Sequence, residues 1–155
     1  MCIYITMVCC LVAFDVESLF TNIPLEECND LAVNYISEGN PDLKLTESEL
    51  RSLFTVATAQ THFLFNGSFY DQIDGVAMGS PLAPVLANLF MGHHEKLWSG
   101  NFQGSEILFY RRYVDDTFCL FHSEHDAILF FACINSRHPN IRFTMKKKLN
   151  TNYPF

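Results

Sequence analysis

The spacing of apolar positions divides the chain into segments of different period. LVAF, just before Asp15, is a short apolar run of the kind that forms a strand buried on both faces. Beyond it the period becomes helical. Pro24 suits a first helical turn, Leu25, Cys28, Ala32 and Tyr35 recur on one face, and Gly39 with Asn40-Pro41 stops the element. Thr46 and Glu49 stand at capping-box spacing ahead of a stripe of Leu50, Leu53, Phe54 and Ala57, which predicts a second helix. HFLF and SFYDQI then flank Asn66-Gly67, a dipeptide suited to the tight turn of a β-hairpin.

A third helix is expected from Ser80-Pro81, with Leu82, Val85, Leu86, Leu89, Phe90 and Leu97 inward. ILFYRRYV and TFCLF bracket Asp115-Asp116 as a second hairpin, a fourth helix follows Ser123, and IRFTM ends as a strand. Strand, helices, hairpin, helix, hairpin, helix, strand describes an α+β fold, an antiparallel sheet packed against helices. Residues 1–10 read as an irregular lead-in and 11–155 as one domain. Phe118, Phe121, Phe130 and Phe131 are expected in the core.

Composition narrows the picture. At 155 residues with 49% apolar positions, the chain can bury one sizeable core. A formal net charge of −7 excludes affinity from a uniformly basic surface. The charge is uneven: residues through Glu95 hold twelve acidic and two basic side chains, and those from Lys96 onward hold five and eight. The later part is therefore the side for a phosphate-rich partner. The six cysteines contain no C-x-x-C pair and read as reduced core thiols. MCIYITMVCCLVAF lacks the basic start of a signal peptide, and no uninterrupted apolar run reaches the ~18 residues of a membrane span. The expectation is a soluble intracellular protein with no membrane partner, nucleus and cytoplasm being indistinguishable.

Candidate chemistry lies in three places. Asp115-Asp116 would put two mutually repelling carboxylates at a tight turn. A solvated loop is the ordinary reading, but the apolar strands on either side would partly desolvate the pair and make a divalent cation its natural neutraliser. Asp15 stands one hundred positions earlier, either as a helix-leading aspartate or, if its strand lies beside the hairpin, as a third carboxylate. Three such groups could hold two Mg²⁺ ions about 3.5–4 Å apart, an arrangement suited to phosphoryl transfer. In DGVAMGSPLAP, Gly75 and Gly79 allow close backbone approach ahead of a capped helix, as an ordinary loop or as a platform for a base pair or phosphate.

FDVESLFTNIP, GVAMGSPLAPVLANLFM and RRYVDDTFCLF resemble, in order and spacing, motifs A, B and C of a reverse transcriptase palm. The wording is most similar to that of Penelope-like retroelements, whose enzymes are related to telomerase. The resemblance implies a palm-type sheet and RNA-directed DNA synthesis from deoxynucleoside triphosphates, with an RNA template, a DNA primer and two Mg²⁺ ions, Mn²⁺ being an alternative. It implies that Asp15, Asp115 and Asp116 are catalytic, and that Asp15, Val16, Asp115 and Asp116 hold the metals. The backbone of Val16, Glu17, Ser18 and Leu19 would follow the triphosphate, with Phe20 as the wall that excludes a ribose 2′-hydroxyl. Met78, Gly79, Ser80 and Pro81 would line the templating pair. Met78 departs from the glutamine that many such enzymes carry.

The same resemblance implies a palm without the fingers, primer grip, thumb or endonuclease of its relatives, which accounts for the acidic balance. The rival reading is a catalytically inactive retroelement remnant acting at most as an interaction module; a metal-dependent cyclase or diesterase is a third, which the motif B wording opposes. Arg111 and Arg112 are expected on opposite strand faces, Lys146 to Lys148 as a solvated strand end, and His93 and His94 as surface or packing residues.

Overall fold

The computed structural model describes residues 10–58, 61–102, 104 and 106–147. The expected lead-in therefore lies outside the described residues except for Cys10, which already opens a strand. Contacts divide the chain into two compact units, one formed by 1–17 with 97–155 and the other by 18–96.

The first unit is built on an antiparallel sheet of β1 (Cys10–Val16), β4 (Phe109–Tyr113), β5 (Asp116–Phe121) and β6 (Phe143–Lys147), in the order β4-β5-β1-β6. Strict alternation along β1 buries Val12, Phe14 and Val16, while Thr117, Cys119 and Phe121 do the same in β5. Against this face packs α5 (Glu124–Asn135), through Ala127, Phe130 and Ile134. Ser123 caps that helix by accepting a hydrogen bond from the Asp126 amide. Phe14 is the hub of the core, stacked on Phe131 at 6.0 Å and meeting Phe121 edge-on at 6.4 Å.

Residues paired across neighbouring strands share a face, so Asp15, Asp116, Phe118, Arg111 and Lys146 all project from the opposite side of the sheet. Phe118 is 45% exposed there, which corrects its expected place in the core. The reason is parity: TFCLF alternates, and only every second residue can face α5.

The second unit contains α1 (Leu19–Asn22), α2 (Leu25–Gly39), α3 (Glu47–Thr58), the β2 (His62–Phe65) and β3 (Ser68–Asp71) hairpin, and α4 (Ala83–Asn101) as far as Lys96. The capping box is present: the Thr46 amide donates to the Glu49 carboxylate at 2.8 Å, and the Glu49 amide donates to the Thr46 hydroxyl at 3.2 Å. The Thr46 amide, and after it the Thr46 hydroxyl donating to the same carboxylate at 2.8 Å, hold the Glu49 carboxyl below its usual range. Asn66 and Gly67 both have positive φ, as the tight hairpin turn demands. All eight residues of β2 and β3 are exposed.

Helix faces differ from expectation in detail. Tyr35 is 68% exposed, and α2 instead buries Cys28, Asn29, Ala32 and Val33. In α3 only Leu50 and Thr58 are buried; Leu53 and Ala57 lie outside. The third predicted helix starts at Ala83 rather than Ser80-Pro81, and its buried face carries Ala83, Leu86, Ala87, Phe90, Met91, His94 and Trp98, while Val85 and Leu97 are exposed. No described helix is long and apolar enough to cross a membrane.

Candidate functional site

The β4-β5 connection is a two-residue turn, since Tyr113 pairs with Asp116 and leaves only Val114 and Asp115 between the strands; Asp116, expected at the turn beside Asp115, instead opens β5 because the ladder closes one residue earlier. Val114 has φ 58°, a left-handed conformation that costs a β-branched residue about 1–2 kcal/mol. Arg112 supports the turn by donating to the Val114 carbonyl at 3.0 Å. Antiparallel pairing of β1 with β5 sets Asp15 directly across from Asp116, and the Val16 amide donates to the Asp115 carbonyl at 3.1 Å. Three acidic residues from two distant segments thus meet at one end of the sheet. Asp15 and Asp115 are half-buried and Asp116 is exposed.

A positive charge is brought to this group by Lys146, whose Nζ lies 3.4 Å from Asp15 Oδ2. Lys146 is exposed, as expected of a solvated strand end, and makes this contact in addition. The predicted strand began at Ile141 and ended at Met145, whereas β6 runs from Phe143 to Lys147 and pairs with β1 from Val16 to Val12, which carries Lys146 onto the face of Asp15. Arg111 and Arg112 do occupy opposite faces; the Arg111 guanidinium lies 5.3 Å from the centre of the Phe109 ring.

Val16 to Leu19 spans the division between the units. Val16 and Leu19 turn their side chains into the interior. The Val16 amide is bonded to Asp115 and the Glu17 amide donates to the Arg142 carbonyl at 2.9 Å, so neither is available to grip a phosphate. Ser18 has φ 47°.

Within the second unit, the Phe20 segment and the glycine-rich loop are tied together. The Val76 amide donates to the Phe20 carbonyl at 2.7 Å, and Gly75 sits so near Thr21 that a Cβ would meet its carbonyl oxygen at 2.7 Å. Asp74 completes the tie, accepting from the Leu25 amide at 2.9 Å and so capping α2, a role that sequence spacing did not reveal because it joins residues 49 positions apart. Past this anchor the loop opens to solvent: Met78 is 70% exposed, Gly79 and Pro81 are exposed, and Ser80 is half-buried. Phe20 is also half-buried. A separate groove of about 580 Å³ lies among Glu26, Asn29, Asp30, Arg51 and Asp74 and includes none of the predicted site residues.

His94 is not a bare surface residue. It is buried on α4 and hydrogen-bonded to Glu27 at 3.1 Å, whereas His93 is exposed.

Residues 4–149 match the family of reverse transcriptases (RNA-dependent DNA polymerases). No curated protein matches the chain. Among solved structures, apo telomerase from Candida tropicalis, truncated of its C-terminal domain, is similar over 94% of this chain with a TM-score of 0.63 and 11% identity. The chain spans about a third of that telomerase, 32% of its length. At this identity the likeness concerns the fold, an antiparallel sheet packed against helices.

Proposed function

Because the chain belongs to the reverse transcriptase family, we propose that the sheet end where Asp15, Asp115 and Asp116 meet is the catalytic centre of an RNA-directed DNA polymerase palm from a retroelement. The carrying observation is the register that sets Asp15 against Asp116 while the Val16 amide holds the Asp115 carbonyl. The reaction is attack of a primer 3′-hydroxyl on the α-phosphate of a deoxynucleoside triphosphate, with an RNA template selecting the base.

The donor set suits Mg²⁺ or Mn²⁺. Three carboxylates and the Val16 carbonyl are all hard oxygen ligands, partly open to solvent. Asp15, Asp115, Asp116 and the Val16 carbonyl would hold such ions, which would supply a lowered pKa at the attacking hydroxyl and charge stabilisation at the leaving pyrophosphate. The chain's own residues hold and orient. The sheet fixes Asp15 and Asp116 by backbone pairing rather than by a flexible loop, which is the precision that near-attack positioning requires. Phe20 forms the wall that favours deoxynucleotides, and Met78 to Pro81 form the surface for the templating pair. With the Val16 and Glu17 amides engaged, contact with the triphosphate falls to Ser18 and Leu19. The wording of FDVESLFTNIP and GVAMGSPLAPVLANLFM supports a Penelope-like origin.

Primer extension on an RNA template tests the reading. Incorporation of deoxynucleotides by a chain carrying this sequence should fall to background with Asp115→Asn. Incorporation that survives the substitution refutes the assignment, and its absence from every length of chain favours the inactive remnant.

A further inference from the structure

Lys146 sets its ammonium beside the Asp15 carboxylate. On the outer face of the sheet it lies diagonal to Asp15: Asp15 pairs with Thr144, and Lys146 pairs with Ala13. The ammonium turns toward Asp15, 3.4 Å from Oδ2. Arg111 occupies the same cross-strand row through Phe118 but is engaged elsewhere, its guanidinium over Phe109 and bonded to the Tyr110 carbonyl at 3.1 Å.

Resting on the reading of Asp15, Asp115 and Asp116 as metal ligands, we propose that Lys146 is a displaceable internal counter-ion that sets how tightly the centre takes divalent cations. Without a metal, three carboxylates at one sheet end repel one another, and the ammonium offsets part of that repulsion. The side chains of Lys146 and Asp15 are 69% and 33% exposed, so the pair is a solvated one that is worth little and opens readily. An entering cation must take Asp15 Oδ2 from the ammonium and then tolerate a positive charge on a tether a few ångströms away. Both effects weaken cation binding. A unit charge near a divalent ion in water-like dielectric, reduced by salt, changes affinity by about three- to tenfold. Lys146 is therefore a positioning residue that acts on the cations through Asp15.

The test is a calorimetric titration of the purified chain with Mn²⁺ at low ionic strength, without nucleotide or template. Lys146→Gln should bind about three- to tenfold tighter, and Lys146→Arg, which keeps the charge, should match the parent. The gain of the glutamine variant should shrink in high salt. Asp15→Asn is run in the parent and in Lys146→Gln to show that the heat comes from this centre. If Asp15→Asn weakens binding but Lys146→Gln does not tighten it, the counter-ion role is overturned and the metal centre stands. If no binding depends on Asp15, the metal centre fails and the role of Lys146 fails with it.

Discussion

Gly75 offers the sharpest test of how the second unit is assembled. Its φ is +85°, and an added Cβ would lie 2.7 Å from the Thr21 carbonyl oxygen, 2.9 Å from the Thr21 Cα and 3.0 Å from the Phe20 carbonyl oxygen. All three are backbone atoms, so no side chain can swing away. Gly75→Ala thus incurs two costs: the left-handed conformation, about 1–2 kcal/mol, and displacement of a packed backbone, about 1–3 kcal/mol. The sum is about 2–5 kcal/mol, a large share of a typical domain's stability. Gly79 is the internal control, with φ +95° and nothing within 4 Å of its Cβ position. Gly79→Ala should cost only the conformational part, about 1–2 kcal/mol, and both alanines restrict the unfolded chain equally. Asparagine separates the two costs, because it tolerates left-handed backbone yet still carries a Cβ. Gly75→Asn should remain clearly destabilised while Gly79→Asn returns close to the parent. The assay is urea unfolding followed by circular dichroism, with equal m-values required before midpoints are compared. Equal costs at the two glycines would refute the close approach to Thr21, and with it the account of how the Phe20 segment and the Met78–Pro81 loop are held together.

Two further outcomes follow from buried groups. The Thr117 hydroxyl is buried with no hydrogen-bond partner among the described residues, so Thr117→Val should stabilise by about 1–2 kcal/mol and raise the Tm by roughly 2–8 °C in calorimetry; an unchanged or lower Tm would mean that the hydroxyl is satisfied. The Cys28 thiol is pushed up to about 12 by burial, reinforced by the nearby Glu27 charge. It should resist iodoacetamide at pH 8 until the chain unfolds, as read by mass spectrometry. Because this group's pKa is higher folded than unfolded, its contribution to stability is complete below about pH 9 and is lost as pH rises toward about 12. An alkaline unfolding slope identical in Cys28→Ala would contradict that.

Local rules made much of the fold legible. Asn66-Gly67, the Thr46–Glu49 capping box, the Ser123 cap and the hairpin around Asp115 each depend on residues within a few positions of one another, and all four are present. What escaped were choices made by tertiary contact. Tyr35 and Leu53 each follow a buried residue, Ala32 and Leu50, by three positions, yet a three-residue step also leads onto a neighbouring face, and only packing decides which turns inward. Phe118 departs from the expected core because a β-run with aromatics on both faces hides its parity. Asp74 on Leu25, His94 on Glu27 and Lys146 on Asp15 join residues 49, 67 and 131 positions apart, beyond any local pattern.

The candidate centre divides along the same line. Each aspartate is conspicuous in the sequence, but their meeting depends on register, and register in a sheet has only two faces to choose between. Val12, Phe14 and Val16 must turn toward α5 to bury the core, so Asp15 is forced to the other side; Thr117, Cys119 and Phe121 impose the same on Asp116. Pairing of Phe14 with Thr117 and of Val12 with Cys119 then leaves Asp15 opposite Asp116 with no further freedom. The hydrophobic core thereby sets Asp15 directly across from Asp116 against their mutual repulsion. A slip of one residue between β1 and β5 would break the core before it relieved the charges, so the acidic cluster is as secure as the packing of Phe14. What the core does not dictate is the countercharge. Lys146 reaches Asp15 only because β6 extends to Lys147, and its exposed side chain makes it the part of the centre that can change without disturbing the fold.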